Sequence, residues 1–398
     1  MKMKKVMALL LSMTMVAGMS VSSFADEKLT IGSSNEQEVR EGLFIASNSV
    51  PTGAKEFAIK MFESLTPQDM DILEMGNDIE AVRLGYAFTV DGTEIPQYYF
   101  PILENDTVIG IMIVSDYGNR YGFQLGVTNL SENINKLKTD SQNPAEIIVS
   151  ENAYYGKDKD SVQILKKNPE VSKQVIEEEV QELSNEITPL GEKEIVGVSS
   201  ENVFDTKINT VETYKLMGKK HDVAYVNNMS YEENNETHGS CWASCVGSLV
   251  DFYMDGSKNS DDANRYRTKA FNEQKAATGS HAASNTEATK YINKYSGSNL
   301  SYRKEDPVWS TIKSTLLNKT IPAGSKGSPF YSYWLELSGK SAHAMVVSGY
   351  RYENTKPNDE SYYCIYLMDP NERTIQLLQY RDNYTIGKSL YTWEGSAR

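Results

Sequence analysis

The stretch HGSCWASC, residues 238–245, contains two of the three cysteines of this 398-residue chain. Apolar side chains recur every three or four residues after Ser240, which predicts a helix with one buried face that begins near Cys241. A thiol in the first turn of a helix lies at the positive end of the helix dipole, which favours the nucleophilic thiolate. The sequence therefore predicts that Cys241 is a catalytic nucleophile.

The other cysteines leave alternatives open. Cys245 lies one turn further along the predicted apolar face, and Cys364 alternates with tyrosines in a predicted strand, so both are expected in the core. A disulfide between these two would leave Cys241 free and would explain the odd number of cysteines. A zinc site formed by His238, Cys241 and Cys245 would lack a fourth ligand at a suitable spacing.

The amino terminus indicates export. Lysines precede the apolar run 6–17, which is too short to span a bilayer, and Ser23 and Ala25 fit the small-residue positions of a cleavage site. We therefore predict a signal peptide over 1–25 and a secreted protein without membrane insertion. The net charge of −14 argues against nucleic acid as a partner.

Changes in composition divide the mature chain. Residues 26–49 are polar and predict a flexible lead, and 50–155 combine a helical pattern with four short strands in a small α+β domain. Residues 156–205 predict a charged helix and then a Pro- and Gly-containing linker, which is a typical site of proteolytic maturation. Residues 206–398 hold every cysteine, histidine and tryptophan, so we expect the chemistry there.

A base for the nucleophile is predicted from two strands. His343 lies in the apolar run GKSAHAMVVSGYRY, and the run SYYCIYLMDP follows after a polar loop, 353–360. If the two runs form a hairpin, position 370 lies opposite His343, and Asp369 lies beside its ring within a shift of one residue. A carboxylate in that place orients an imidazole and stabilises its cation. The sequence thus predicts a Cys241–His343–Asp369 constellation.

These motifs resemble those of papain-like cysteine peptidases, in which Cys-Trp-Ala opens the central helix. The histidine strand and the strand ending in Asp-Pro are similar to those of the compact bacterial branch, which includes bacteriocin-processing peptidases and effector proteases of plant pathogens. The resemblance covers about residues 230–370. It implies an α+β fold in which the nucleophile's helix packs on an antiparallel sheet.

The resemblance also implies roles for single residues. Cys241 would be the nucleophile, His343 the base and Asp369 the orienting acid. The family usually has Gln six residues before the nucleophile to bind the oxyanion; Asn235 occupies that position here, with Asn234 as its rival and the Cys241 N–H as the second donor. His238 replaces a common structural cysteine of the family.

The function expected from these patterns is that of a secreted cysteine peptidase made as a zymogen, which cleaves protein or peptide substrates without a metal or another cofactor. Its own amino-terminal part, residues 26 to about 200, would be a propeptide that covers the Cys241–His343 cleft until the chain is cut between about 187 and 210. A permanent substrate- or wall-binding domain is the rival role for that part. A transglutaminase-like acyltransferase and a catalytically silent binding module are the alternative functions.

Overall fold

The computed structural model of the protein describes most of the chain from residue 44 onward, and everything below concerns those residues. They are 44–47, 50–66, 69, 72–73, 79–89, 95–126, 128–140, 146–150, 152–157, 161–167, 171–185, 194–197, 203–208, 216–234, 236–255, 258–317, 328–353, 359, 362–372, 374–386 and 389–398. The predicted signal peptide lies outside the described residues, as do most of the predicted lead and linker.

The described residues contain seven α-helices and a short 3-10 helix, Ile79–Ala81. The α-helices are α1 Thr52–Glu63, α2 Thr128–Asp140, α3 Lys173–Asn185, α4 Cys241–Asp255, α5 Ser260–Thr278, α6 Asn285–Ser296 and α7 Trp309–Leu317. None of them is long and apolar enough to cross a membrane.

The same part of the chain contains twenty strands. They are β1 Phe44–Ser47, β2 Val82–Leu84, β3 Phe88–Thr89, β4 Gln97–Glu104, β5 Thr107–Asp116, β6 Tyr121–Gly126, β7 Glu146–Val149, β8 Ala153–Lys157, β9 Val162–Lys167, β10 Glu194–Gly197, β11 Leu216–Lys220, β12 Ser230–Glu233, β13 Glu236–Gly239, β14 Tyr302–Arg303, β15 Phe330–Glu336, β16 Ala342–Glu353, β17 Cys364–Met368, β18 Ile375–Gln379, β19 Tyr384–Ile386 and β20 Ser389–Ala397. The predicted α+β class is therefore confirmed.

One antiparallel sheet of thirteen strands dominates the fold. Its main path runs β14-β20-β15-β16-β17-β18-β6-β5-β4-β2, with β11 on β16, β19 on β20 and β3 on β4. Strands β2 to β6 come from the amino-terminal part and the others from 206–398. The two parts meet where β6 pairs with β18, so the sheet continues through the boundary that the sequence predicts.

The amino-terminal elements largely follow the sequence pattern. The predicted strands correspond to β2 to β6, and the charged helix predicted within 156–205 is α3. Two segments differ from the prediction. Strands β1 and β10 pair with each other, so the lead and the linker each contain a strand where only irregular chain was expected. Strands β7, β8 and β9 form a separate sheet, which was not predicted because charged residues interrupt the apolar pattern of this segment.

Helix α4 packs on the large sheet as its apolar pattern predicts. Its buried residues share a core with Ala344 and Val346 of β16 and with Met368 of β17. Helix α5 crosses it closely at Gly247, where a Cβ atom would lie 2.2 Å from the carbonyl oxygen of Ala263. A glycine at this point therefore allows α5 to cover the outer side of the helix that begins at Cys241.

Candidate active site

The first turn of α4 is fixed by Ser240. Its carbonyl accepts hydrogen bonds from the N–H groups of Ala243 (2.9 Å) and Ser244 (3.1 Å), and its own N–H donates to the carbonyl of Met229 at 2.9 Å. Its hydroxyl oxygen accepts the N–H of Met229 at 3.0 Å. Cys241 is thus the first residue of the helix, and its N–H has no acceptor within the helix.

His343 lies on β16 between two neighbouring strands, opposite Trp334 of β15. Its side chain is buried, and Nε2 lies 2.7 Å from Oδ1 of Asp369. Since the carboxylate can only accept, Nε2 carries the proton and Nδ1 is the nitrogen left for a partner on the other side. The thiol of Cys241 is close enough to the ring for its interaction with His343 to raise the pKa of this group.

Asp369 follows β17 and is fully buried, but three donors satisfy it. Oδ1 accepts from His343 and from the N–H of Asn371 at 2.8 Å. Oδ2 accepts from the hydroxyl of Tyr384 at 2.6 Å. Burial acts to raise the pKa of Asp369, but the charge of His343 and these hydrogen bonds outweigh it, so the pKa lies below its ordinary value.

The electrostatics of His343 complement those of Asp369. Burial acts to lower the pKa of His343, while the charge and hydrogen bond of Asp369 and the interaction with Cys241 raise it. The net result is a pKa well above the ordinary value of histidine. The site therefore favours an imidazolium between a carboxylate and a thiol, which is the arrangement that a cysteine nucleophile needs.

The strand pairing behind this contact is confirmed. Strands β16 and β17 are antiparallel, with Val346 opposite Met368 and Val347 opposite Leu367. This register differs by one residue from the predicted one, and it shifts by one more between Val347 and Gly349. The structure thus brings Cys241, His343 and Asp369 together.

The other two cysteines lie in the core. All three cysteines are free and buried, so the structure contains no Cys245–Cys364 disulfide. Burial, followed by the charges of Cys241 and Asp369, raises the pKa of Cys245 well above its ordinary value, and burial raises that of Cys364 to about 11. Both should be poor nucleophiles because the thiolate is disfavoured.

No group of three or more metal-ligating side chains occurs among the residues that the structure describes. His238, the third member of the alternative zinc site, lies instead on β13, where its ring contacts Tyr231 at 5.5 Å between centroids. Its Nε2 lies 3.7 Å from Glu236.

The predicted oxyanion side chain is not located. Asn235 lies outside the described residues. Its rival Asn234 follows β12 at the turn of the hairpin, with a positive φ of 55°. Asn234 lies four positions after Ser230, which pairs with Gly239 beside the helix, and at about 3.3 Å per position this is ~13 Å of strand. Asn234 therefore lies far along the hairpin from Cys241.

Sequence reasoning missed two residues of the site. Tyr384 reaches Asp369 from β19, a strand of three residues in a tyrosine-rich segment with no distinguishing spacing. Asn228 links the two ends of the site, because its side chain accepts from Ser240 at 3.3 Å and donates to Asn371 at 2.9 Å. Its N–H donates to the carbonyl of Pro370 at 2.8 Å.

Comparisons with known proteins give no family assignment. No protein-family model matches the chain, and the search of curated proteins found no match. The functional argument therefore depends on the geometry of the site.

Proposed function

We propose that this protein is a secreted cysteine peptidase with a papain-like catalytic domain, in which Cys241 is the nucleophile, His343 the general base and acid, and Asp369 the orienting acid. The observation that carries the proposal is the buried 2.7 Å hydrogen bond between His343 and Asp369, together with the interaction of Cys241 with the same imidazole. The start of α4 at Cys241 also leaves the N–H of this residue without an acceptor within the helix.

The proposed reaction has two acyl-transfer steps. Sγ of Cys241 attacks the carbonyl carbon of the scissile peptide bond, and the N–H of Cys241 is placed to donate to the oxyanion. His343 then gives a proton to the leaving amine, and a thioester remains on Cys241. Water, deprotonated by His343, attacks the thioester, releases the acid product and restores the thiol.

The way in which the two ring nitrogens of His343 are used supports its role as the base. Nε2 is held by Asp369, which leaves Nδ1 as the nitrogen available to Cys241, and the ring cannot turn without losing a buried 2.7 Å hydrogen bond. A carboxylate held in this way stabilises the imidazolium that forms during the reaction. A binding module would have no need for this arrangement.

Secretion and maturation complete the proposal. The signal peptide and a cut between about 187 and 210 stay predictions from the sequence, as does the propeptide role of residues 26 to about 200, against which the contacts between the two parts speak.

The experiment is a cleavage profile of the full chain on a mixture of unfolded proteins, with and without an added primary amine. A peptidase generates new amino termini that carry no amine adduct, and a chelator does not change them. A transglutaminase-like enzyme would instead attach the amine to substrate side chains. The same profile with Cys241→Ala should show no new termini.

A further inference from the structure

The amino-terminal part and the catalytic part share one sheet and one core. Leu125 and Gln124 of β6 pair with Leu377 and Leu378 of β18. The largest cluster of buried apolar residues in the described part of the chain includes residues of helix α1 and of strands β2, β4, β5 and β6 together with Tyr362, Cys364, Tyr366 and Leu377. Removing the amino-terminal part would expose this face of the catalytic part to water, and such apolar exposure is costly.

A buried ion pair crosses the same boundary at Asp69. Its Oδ2 accepts from Nη1 of Arg351 at 3.0 Å, and its Oδ1 accepts from the hydroxyl of Tyr366 at 2.7 Å. Oδ2 also accepts from the N–H and the hydroxyl of Thr66, each at 2.8 Å. Arg351 belongs to β16, the strand that carries His343, and it donates a second bond from Nη1 to the carbonyl of Ser64 at 3.0 Å.

A second buried ion pair joins the two parts close to Asp369. Lys166 of β9 contacts Glu372, which is 1% exposed. Glu372 lies three residues after Asp369, and its N–H donates to the carbonyl of Asp369 at 3.0 Å. Lys166 is close enough for its charge to interact with that of Asp369. The acid of the site is therefore supported by a lysine from the amino-terminal part.

Release of the amino-terminal part would break both ion pairs. Arg351 would lose its hydrogen bonds to Asp69 and Ser64, and Glu372 would lose its ion pair with Lys166, while the apolar core around them became exposed to water. A propeptide that leaves its enzyme requires the opposite, namely a contact whose loss the catalytic part tolerates.

We propose that residues 50–185 are a permanent part of the active enzyme: a cut in the linker leaves them bound to 194–398, and through Lys166 they hold the loop of Asp369 in its catalytic position. The retention of the cut chain follows from the shared core and the two ion pairs alone. The requirement for activity rests on the proposed peptidase function.

The retention test uses the full chain with a recognition sequence for an added site-specific protease within residues 187–193, in both the wild-type and the Cys241→Ala backgrounds. After complete cutting, we expect both fragments to elute together in size-exclusion chromatography, at the volume of the uncut protein. They should separate only in concentrated guanidinium chloride. Two separate peaks in native buffer would overturn the proposal.

The activity test compares the uncut and the cut chain, and then the carboxy-terminal fragment after separation in denaturant and refolding. We expect the two-chain form to hydrolyse peptides and the refolded fragment alone to have lost at least nine-tenths of that activity, a loss of about tenfold or more. Full activity of the fragment alone would overturn the requirement. If no form hydrolyses peptides, the proposed function fails, while the elution result still decides retention.

Lys166→Met tests the positioning role. The matched control is Lys167→Met, because Lys167 is the next residue on β9 and is exposed. We expect Lys166→Met to lower kcat with little change in KM, and Lys167→Met to behave as the wild type. The double variant Lys166→Met with Glu372→Gln removes both charges and guards against simple unfolding. A folded double variant with wild-type kcat would overturn the role of Lys166.

Discussion

The hydroxyl of Tyr384 donates a 2.6 Å hydrogen bond to Oδ2 of Asp369, the oxygen that His343 does not use. The carboxylate is thereby held at both oxygens. Its plane is fixed, and with it the direction in which it receives Nε2–H of His343. The hydrogen bond from Tyr384 thus helps to orient the proposed base, and it does so through Asp369.

Tyr384→Phe should lower the stability and the activity of the protein without leaving a cavity at this position. The ring stays in place and only the hydroxyl is lost, and a hydrogen bond to a charged group contributes about 1.5–3 kcal/mol. We expect the free energy of unfolding to fall by about that amount and kcat to fall up to about tenfold, which corresponds to about 1.4 kcal/mol of lost transition-state stabilisation. Tyr380→Phe is the control, because the hydroxyl of Tyr380 is buried but donates to a neutral carbonyl, that of Pro307. Equal effects of the two variants would contradict the role of Tyr384.

Asp369→Asn should cost less activity than loss of the nucleophile. In serine triads, removing the orienting carboxylate costs about two orders of magnitude less than removing the nucleophile or the base, and we expect a similar ratio to Cys241→Ala. Measured kcat values at saturating peptide decide the point. A variant as inactive as Cys241→Ala would instead give Asp369 a part in the chemistry beyond orientation.

The same substitution should remove a pH dependence of stability. The folded state raises the pKa of His343, so this group stabilises the fold fully below about pH 6.5, its unfolded pKa, and the contribution is lost as pH rises through the folded pKa. Denaturant titrations at pH values above about 6.5 should show the loss in the wild type and a flatter profile in Asp369→Asn. An unchanged slope would contradict the coupling of the two groups.

Reactivity towards alkylating agents should separate the three cysteines. Cys245 and Cys364 are buried with raised pKa values, so their thiolates are scarce at neutral pH. We expect iodoacetamide to label one cysteine of the native protein and all three of the unfolded protein, with the native label on Cys241 by peptide mapping. First labelling at Cys245 or Cys364 would argue against an activated Cys241.

Asp382 should make the protein less stable as pH rises from about 4 to 6. Burial raises the pKa of this carboxyl group to about 6, although Tyr117 and Arg120 act to lower it. The folded state therefore binds more protons than the unfolded state in that window, and the cost is complete above it. A shift of about two pKa units corresponds to about 3 kcal/mol.

Asp382→Asn should remove this cost and stabilise the protein at neutral pH by up to about 3 kcal/mol. The amide oxygen can still accept from Tyr117 and from the N–H of Asn383. Chemical denaturation of both proteins across the same window provides the measurement. Asp205→Asn is the control, because Asp205 is exposed. A variant that is less stable than the wild type at neutral pH would show that Asp382 is stabilised by a partner that outweighs burial.

Local patterns predicted much of the candidate site. The apolar spacing after Ser240 placed the start of α4, and the two runs around a polar loop placed β16 beside β17 within one residue of the observed register. Both signals are short-range, since a helix repeat and a hairpin are set by residues close in sequence.

Long-range relations were not visible in the sequence. Lys166 lies 206 positions before Glu372 and Asp69 lies 282 before Arg351, and each was one charge among many in a polar segment. The pairing of β6 with β18 was not predicted for the same reason. The sequence of an edge strand does not show which distant strand will pair with it. The prediction of two separate domains was based on composition, whereas in the structure the two parts share one core.

The identity of the nucleophile can be tested most directly with a peptide that the wild type cleaves. Its rate of hydrolysis under reducing conditions is measured for the wild type, Cys241→Ala and Cys245→Ala. The two cysteines lie one turn apart on α4, so the variants disturb the same helix and differ in the proposed chemistry. We predict that Cys245→Ala keeps activity within about tenfold of the wild type, a loss of no more than about 1.4 kcal/mol, while Cys241→Ala has none above background. Hydrolysis by Cys241→Ala at a rate comparable to the wild type would contradict the account.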